Sequence, residues 1–202
     1  MRFRKLPVDG AFEFTPTPFR DHRGLFVSPF QERAFAEAVG RPFTVAQTNH
    51  SRSAAGVIRG IHFTAYPPGQ EKYVYCAQGR ALDVLVDIRL GSPTFGRLSV
   101  ADLDPSSFRA VFVPDGVGHA FIALEPDTVV SYLVSTSYTP AAEMSIHPLD
   151  PELALPWPDH VVPILSEKDA RAPVLAQARA RGLLPAYPVS RRTHAAQVAR
   201  AE

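Results

Sequence analysis

Ten short apolar or alternating runs, separated by turn residues at intervals of about ten positions, constrain this chain more than any other feature. They read GAFEFTP, GLFVSPF, PFTVAQTNHS, GVIRGIHF, KYVYCAQG, ALDVLVDI, RLSVADL, RAVFVPDG, HAFIALEP and TVVSYLVSTSY. Gly, Pro, Asp and Ser fill the joins, most clearly at Gly91-Ser92-Pro93 and Pro114-Asp115-Gly116. Runs this short, without helical segments alternating between them, predict an all-β fold, an antiparallel sandwich or jelly-roll barrel rather than βαβ units.

Helix signals occur in two places only. QERAFAEAVG ends at Gly40, and RAPVLAQARARGLL has Pro173 near its start and Gly182 near its end. Both predict short peripheral helices, the second covering an end of the barrel. A length of 202 residues with 46% hydrophobic content suits one domain with a substantial core. That domain is expected over residues 1–187, and the Arg- and Ala-rich stretch 188–202 reads as a flexible tail.

Charge and cysteine usage exclude several classes. With 21 basic and 20 acidic side chains, nothing points to nucleic-acid or membrane binding through bulk charge, and an anionic ligand would need local arginines. The single cysteine, Cys76, excludes an intramolecular disulfide, and the N-terminus lacks the apolar core of a signal peptide. No apolar run approaches the roughly 20 residues that span a bilayer, so a cytoplasmic location is expected.

Residues 56–88 thread Arg59, His62, Lys72, Asp83 and Asp87 through apolar strand runs. Unpaired buried charge costs several kcal/mol as a rough estimate, so these strands have a wet face or carry a site. Period two puts Lys72 on one face with Val74 and Cys76, away from Tyr73 and Tyr75. An inward lysine needs a partner, and Asp83 on the following strand is the candidate. Arg59 and His62 are three apart, so a regular strand would send them to opposite faces; Gly60 is the expected bulge that turns both inward.

Pro114 to His119, in PDGVGHAF, has the pattern P-x-G-x-x-H and resembles the second motif of the cupin superfamily. In metal-binding cupins the first motif adds H-x-H and a glutamate ahead of a glycine. Taking Gly79 as that glycine puts Lys72 at the glutamate position and no imidazole or carboxylate among residues 65–68. An ammonium there repels a divalent ion, so no metal is expected.

The text around Lys72 is more specific. Asp21-His22-Arg23-Gly24, Gln47-Thr48-Asn49, Arg59-Gly60-Ile61-His62, Pro67-Pro68-Gly69-Gln70-Glu71-Lys72, Asp83 to Arg89 and Gly91 to Gly96 together resemble the dTDP-4-dehydrorhamnose 3,5-epimerase family. The likeness runs from about Arg23 to Trp157 and continues through Ser166 to Asp169 into the last helix. It implies a cofactor-free cupin-type jelly-roll homodimer acting on a dTDP-4-keto-6-deoxyhexose, inverting C3, C5 or both through an enolate. Such chemistry needs a base, a group that stabilises the developing oxyanion, and an acid on the opposite face.

The resemblance assigns these roles residue by residue. His62 matches the proton acceptor, Asp169 the carboxylate that orients it, Lys72 the cation near the 4-keto oxygen and Tyr132 the proton donor. Tyr138 matches a residue that stacks on the substrate. Arg23, Arg59 and His119 match phosphate-side positions, while Gln47, Asn49, Glu143 and Lys168 match the rest of the binding site. Taken singly, each of these is as readily a strand, rim or surface residue.

Three departures stand out: Ser28 replaces a nucleotide-contacting glutamate, Gly118-His119-Ala120-Phe121 replaces A-H-G-F, and Phe63-Thr64 follows the R-G-x-H motif. They resemble epimerases of antibiotic deoxysugar pathways. Single and double inversion need the same base and acid, so the shape of the pocket around Phe121, Tyr138 and Met144 is expected to set the outcome. Two rival readings are a non-catalytic nucleotide-sugar-binding cupin, which has no need for both His62 and Tyr132, and a metal-dependent cupin enzyme, which the missing ligands oppose.

Overall fold

The computed structural model describes residues 1–65 and 69–187. Pro67, Pro68 and the tail expected over residues 188–202 lie outside the described residues. Four strands come first, β1 (Arg2–Lys5), β2 (Phe12–Thr15), β3 (Phe19–Asp21) and β4 (Gly24–Phe26), then helix α1 (Glu32–Val39). Next are β5 (Gln47–Ser53), β6 (Ile58–Thr64), β7 (Lys72–Gln78), β8 (Ala81–Val86), β9 (Leu98–Leu103), β10 (Ala110–Val113), β11 (Gly118–Ala123) and β12 (Thr128–Val134). A 3₁₀ turn (Pro140–Ala142), β13 (Glu143–Ser145), α2 (Glu167–Ala170) and α3 (Leu175–Ala180) complete the order.

The strands form two facing antiparallel sheets, ordered β1-β2-β10-β7-β12-β5 and β13-β6-β11-β8-β9, with β3 and β4 as a separate hairpin. This is the jelly roll expected from the spacing of the runs, and each of the ten runs contains a strand. Among the described residues no helix is long and apolar enough to cross a membrane.

Alternation along each strand divides the apolar residues among three layers. Val74 and Cys76 of β7, Val130 and Tyr132 of β12, and Leu85 and Phe121 of the second sheet meet between the sheets. Their neighbours point outward: Tyr73, Phe14 and Phe112 pack under Phe35 of α1 and Phe43, while Val84, Val86, Ile61, Phe63 and Ala120 pack under the C-terminal segment. Helix α1 stops where expected, at Gly40, whose φ of 83° supplies the left-handed cap.

The C-terminal helix departs from expectation. It does not close an end of the barrel; Leu175 and Ala178 of α3 lie on the outer face of the second sheet, in the cluster of Ile61, Phe63 and Val84. The short apolar stripe of α3 needs cover, and the outward Val84, Val86 and Phe63 of the second sheet supply it. The fully buried ion pair of Arg89 with Asp87 fixes the loop between β8 and β9, with Ser92 and Thr94 also donating to Asp87 Oδ2. Tyr187 stacks on Arg89 and donates to Asp9, so the described C-terminus is tied to the N-terminal turn.

Candidate active site

The space between the sheets is filled with apolar side chains at one end and opens into a cavity of about 330 Å³ at the other. Gln47 and Asn49 of β5, Arg59 and His62 of β6, Lys72 of β7, His119 and Phe121 of β11, Tyr132 of β12, and Gln70, Tyr138 and Glu143 from the connecting segments and β13 line it. Tyr132 also packs against the inter-sheet core, so it stands where the dry layer ends and the wet cavity begins.

The strand irregularity at Gly60 is what brings Arg59 and His62 together. On β11, His119 and Phe121 are two apart and share the inward face; their register partners on β6 are His62 and Arg59, which are three apart. The register shifts between these pairs, so β6 accommodates one extra residue there. Gly60 has φ of +126°, and a Cβ at this position would lie 2.5 Å from Ala120 Cβ and 2.6 Å from the His119 carbonyl oxygen. Only glycine meets both requirements.

His62 donates from Nε2 to Asp169 Oδ1 at 2.7 Å, and its Nδ1 lies 3.9 Å from Glu143 Oε1. An ionised carboxylate only accepts, so Asp169 holds the ring proton on Nε2 and leaves Nδ1 toward the cavity. Asp169 is almost fully buried, on a helix whose N-cap Ser166 accepts from the Asp169 N–H at 3.1 Å. Burial alone would raise its carboxyl, but hydrogen bonds from His62, Ser166 and the Gly60 N–H outweigh it and hold the group below the usual carboxylate range.

Lys72 is half-buried on the cavity floor, and its ammonium makes no hydrogen bond to a described residue. Burial lowers its pKa from the ordinary lysine value, against the opposing charges of Glu143 and Asp83. Asp83, the partner suggested by sequence, acts on it by charge alone and makes no hydrogen bond to it: the next strand in the chain, β8, belongs to the opposite sheet, and Asp83 Oδ2 accepts from His119 Nε2 at 2.6 Å. Tyr132 is pushed above the ordinary phenol value, chiefly by burial, so its hydroxyl keeps its proton at neutral pH.

Arg59 reaches two neutral acceptors, Ser53 Oγ at 3.1 Å and the Arg52 carbonyl at 3.4 Å, and no carboxylate pairs with it among the described residues. Gln47 donates to Asn49 Oδ1 at 2.6 Å and accepts from the Tyr138 N–H at 3.0 Å, joining the β5 edge to the segment that carries Tyr138. Glu143 accepts from the Tyr138 hydroxyl at 3.2 Å and from Lys168. Its carboxyl is lowered because Lys168, His62 and Lys72 together outweigh the burial that would raise it.

A family model described as dTDP-4-dehydrorhamnose 3,5-epimerase matches residues 5–177. The chain belongs to this family. It is 49% identical to NovW, a 4-keto-6-deoxy sugar epimerase from the novobiocin gene cluster of Streptomyces spheroides, with a TM-score of 0.90 over 93% of this chain and 94% of that one. The rmlC epimerase of Mycobacterium tuberculosis superposes with a TM-score of 0.92 at 45% identity, covering 95% and 97% of the two chains. ChmJ, a 3'-monoepimerase from Streptomyces bikiniensis solved with dTDP-quinovose, has a TM-score of 0.88 at 45% identity, covering 94% and 96%. The cupin-type jelly roll is thus the fold of this epimerase family as well as of this chain.

Of the residues matched to the epimerase family by sequence, nine line the cavity, Asp169 stands behind His62, and Lys168 pairs with Glu143 at the rim. Arg23 is the exception. It lies on the β3–β4 hairpin with its side chain 79% exposed and paired to Asp21, away from this cavity. Met144 is also misplaced by the sequence reading: it packs outward in the cluster of Phe63, because alternation along β13 turns its neighbour Glu143 inward. Gln70 lines the cavity without having been singled out, although it stood in the motif before Lys72.

Proposed function

We propose that this protein epimerises a dTDP-4-keto-6-deoxyhexose by removing a proton beside the ketone and returning one to the opposite face. The observation that carries the reading is a histidine held by a buried carboxylate, its second nitrogen open to a cavity that also presents Lys72 and Tyr132. His62 Nδ1 takes the proton from the carbon next to the carbonyl, and the electron pair moves onto the ketone oxygen as an enolate. The imidazolium that forms lies between Asp169 and Glu143, both negative. Lys72 faces the enolate charge, and Tyr132 delivers its hydroxyl proton to carbon from the other side. Solvent restores the tyrosine proton and accepts the one held by His62.

Arg59 and His119 serve the diphosphate in this reading, Gln47 and Asn49 the base, and Tyr138 the stacking wall. Guanidinium groups without a carboxylate partner suit phosphate oxygens. We also propose that the protein works as a homodimer in the cytoplasm, supplying deoxysugars to a biosynthetic pathway. The hairpin that carries Arg23 exposes Phe19 and Phe26 at 69% each, apolar surface that supports burial against a second copy. A phosphate role for Arg23 then requires the cavity of that second copy.

The test is NMR analysis of the product formed from dTDP-4-keto-6-deoxyglucose. Inversion at C3, at C5 or at both supports the function and identifies the regiochemistry. Unchanged configuration at both carbons rejects it for this substrate.

A further inference from the structure

Asp83 is fully buried in the middle of β8, beneath the cavity rather than in its wall. Its Oδ2 accepts from His119 Nε2 at 2.6 Å, while Oδ1 has no hydrogen-bond partner among the described residues. A carboxylate shut away from water with one oxygen unpaired is costly unless a positive charge stands close by. Lys72 is that charge: Asp83 and Glu143 are the two carboxylates that act on its ammonium, and Lys168 is the cation that opposes them.

We propose that Asp83 is a positioning residue for the reaction, a single buried carboxylate that orients the His119 imidazole and supplies the negative charge beneath the Lys72 ammonium. The inference rests on the roles proposed above for His119 and Lys72. Acceptance from Nε2 fixes the His119 tautomer, which leaves Nδ1 for the substrate side, as Asp169 does for His62 directly across the β6–β11 pair. The site therefore holds two carboxylate–histidine pairs that face one cavity from neighbouring strands.

The charge on Asp83 matters because Lys72 stabilises an enolate only as a cation, and burial works against that charge. Glu143 from β13 opposes this effect of burial from the rim and Asp83 from β8 opposes it from below, while Lys168 of α2 adds to it. His62, His119, Arg59, Tyr132 and Tyr138 complete the titratable and charged groups that line the same cavity. Glu143 also takes up Lys168 and Tyr138, whereas Asp83 has an unengaged oxygen.

The test follows the His119 ring nitrogens and Lys72 Nζ by ¹⁵N NMR as pH is raised, in the unaltered protein, in Asp83→Asn and in His119→Gln. The unaltered protein is expected to carry the neutral His119 proton on Nε2. Asp83→Asn is expected to lower the Lys72 midpoint by about one pH unit and to move the alkaline limb of the deuterium-exchange rate down with it. His119→Gln keeps the charge on Asp83 and leaves the Lys72 midpoint in place. A Lys72 midpoint unmoved in Asp83→Asn, or a neutral His119 proton on Nδ1, overturns the proposal. The ring tautomer decides the question even if Asp83→Asn does not fold. The NMR readouts need no substrate, so they stand apart from any failure of the epimerase reading.

Discussion

Replacing Gly60 by alanine tests how the site is assembled. A side chain at φ of +126° is held in a sparsely populated backbone region at about 1–3 kcal/mol. The added methyl also meets Ala120 Cβ at 2.5 Å and Ala120 Cα and the His119 carbonyl oxygen at 2.6 Å. These are backbone and near-backbone atoms of β11, which is held on both sides by β6 and β8, so relief requires moving a central strand. Overpacking of this kind costs about 1–3 kcal/mol. The two together amount to about 2–6 kcal/mol, a large share of the roughly 5–15 kcal/mol that stabilises a typical domain. Urea unfolding of Gly60→Ala should show a lower midpoint with an unchanged slope. Activity should fall further than the folded fraction does, because any strand shift that admits the methyl displaces Arg59 and His62 of β6 relative to His119 and Phe121 of β11. A loss in kcat/KM of about 100-fold or more is expected, equivalent to roughly 2.7 kcal/mol. Stability within about 0.5 kcal/mol of the original, together with unchanged kcat/KM, would refute the claim that the bulge builds the site.

Asp169→Asn, followed by steady-state kinetics, should lower kcat by roughly 100-fold to 10,000-fold with little change in KM, since the carboxylate acts through the His62 ring. Asp87→Asn should destabilise the fold by about 3–5 kcal/mol in denaturant titrations at neutral pH, because it leaves the fully buried Arg89 without its carboxylate. Burial would raise the Asp87 carboxyl, but Arg89, Ser92 and Thr94 bring it below the usual range, so its contribution is present above about pH 4 and is lost as pH falls further. Thermal melts from pH 6 downward should therefore show an acid loss of stability that is reduced in the Asp87→Asn variant. Arg23→Ala should leave the thermal midpoint unchanged, given the exposure of that side chain, and should raise KM for the nucleotide sugar if the hairpin serves a second copy.

Strand positions were legible where an apolar run was short and bounded by turn residues. The runs KYVYCAQG and ALDVLVDI predict β7 and β8 almost residue for residue, because strands buried on both faces read as nearly continuous apolar runs of strand length. Strand β1 was not legible: RFRK is exposed at every position on a sheet edge, where backbone pairing rather than side-chain burial makes the strand. β13 is only three residues long and leaves too little pattern to read, which is also why Met144 was expected at the pocket alongside Glu143 although the two point to opposite faces.

The site was legible through motif order and through one stereochemical puzzle. Arg59 and His62 could share a face only if β6 were irregular, and glycine between them pointed to where. Partnerships across sheets were harder to read. Asp83 follows Lys72 by one strand in sequence, yet chain order does not tell which sheet a strand joins, and the carboxylate pairs with His119 of its own sheet instead. The covering position of α3 was missed for the same reason, since an apolar stripe shows that a face is buried but not against what.

The central claim is that His62 removes a proton beside the ketone and Tyr132 returns one from the opposite face. Incubation with dTDP-4-keto-6-deoxyglucose in deuterated water, with deuterium located by NMR at C3 and C5, tests it most directly. The account predicts deuterium at each inverted carbon in the unaltered protein, none in His62→Ala, and exchange without inversion at one carbon or more in Tyr132→Phe. Deuterium incorporation and inversion at the original rate in both variants would contradict it.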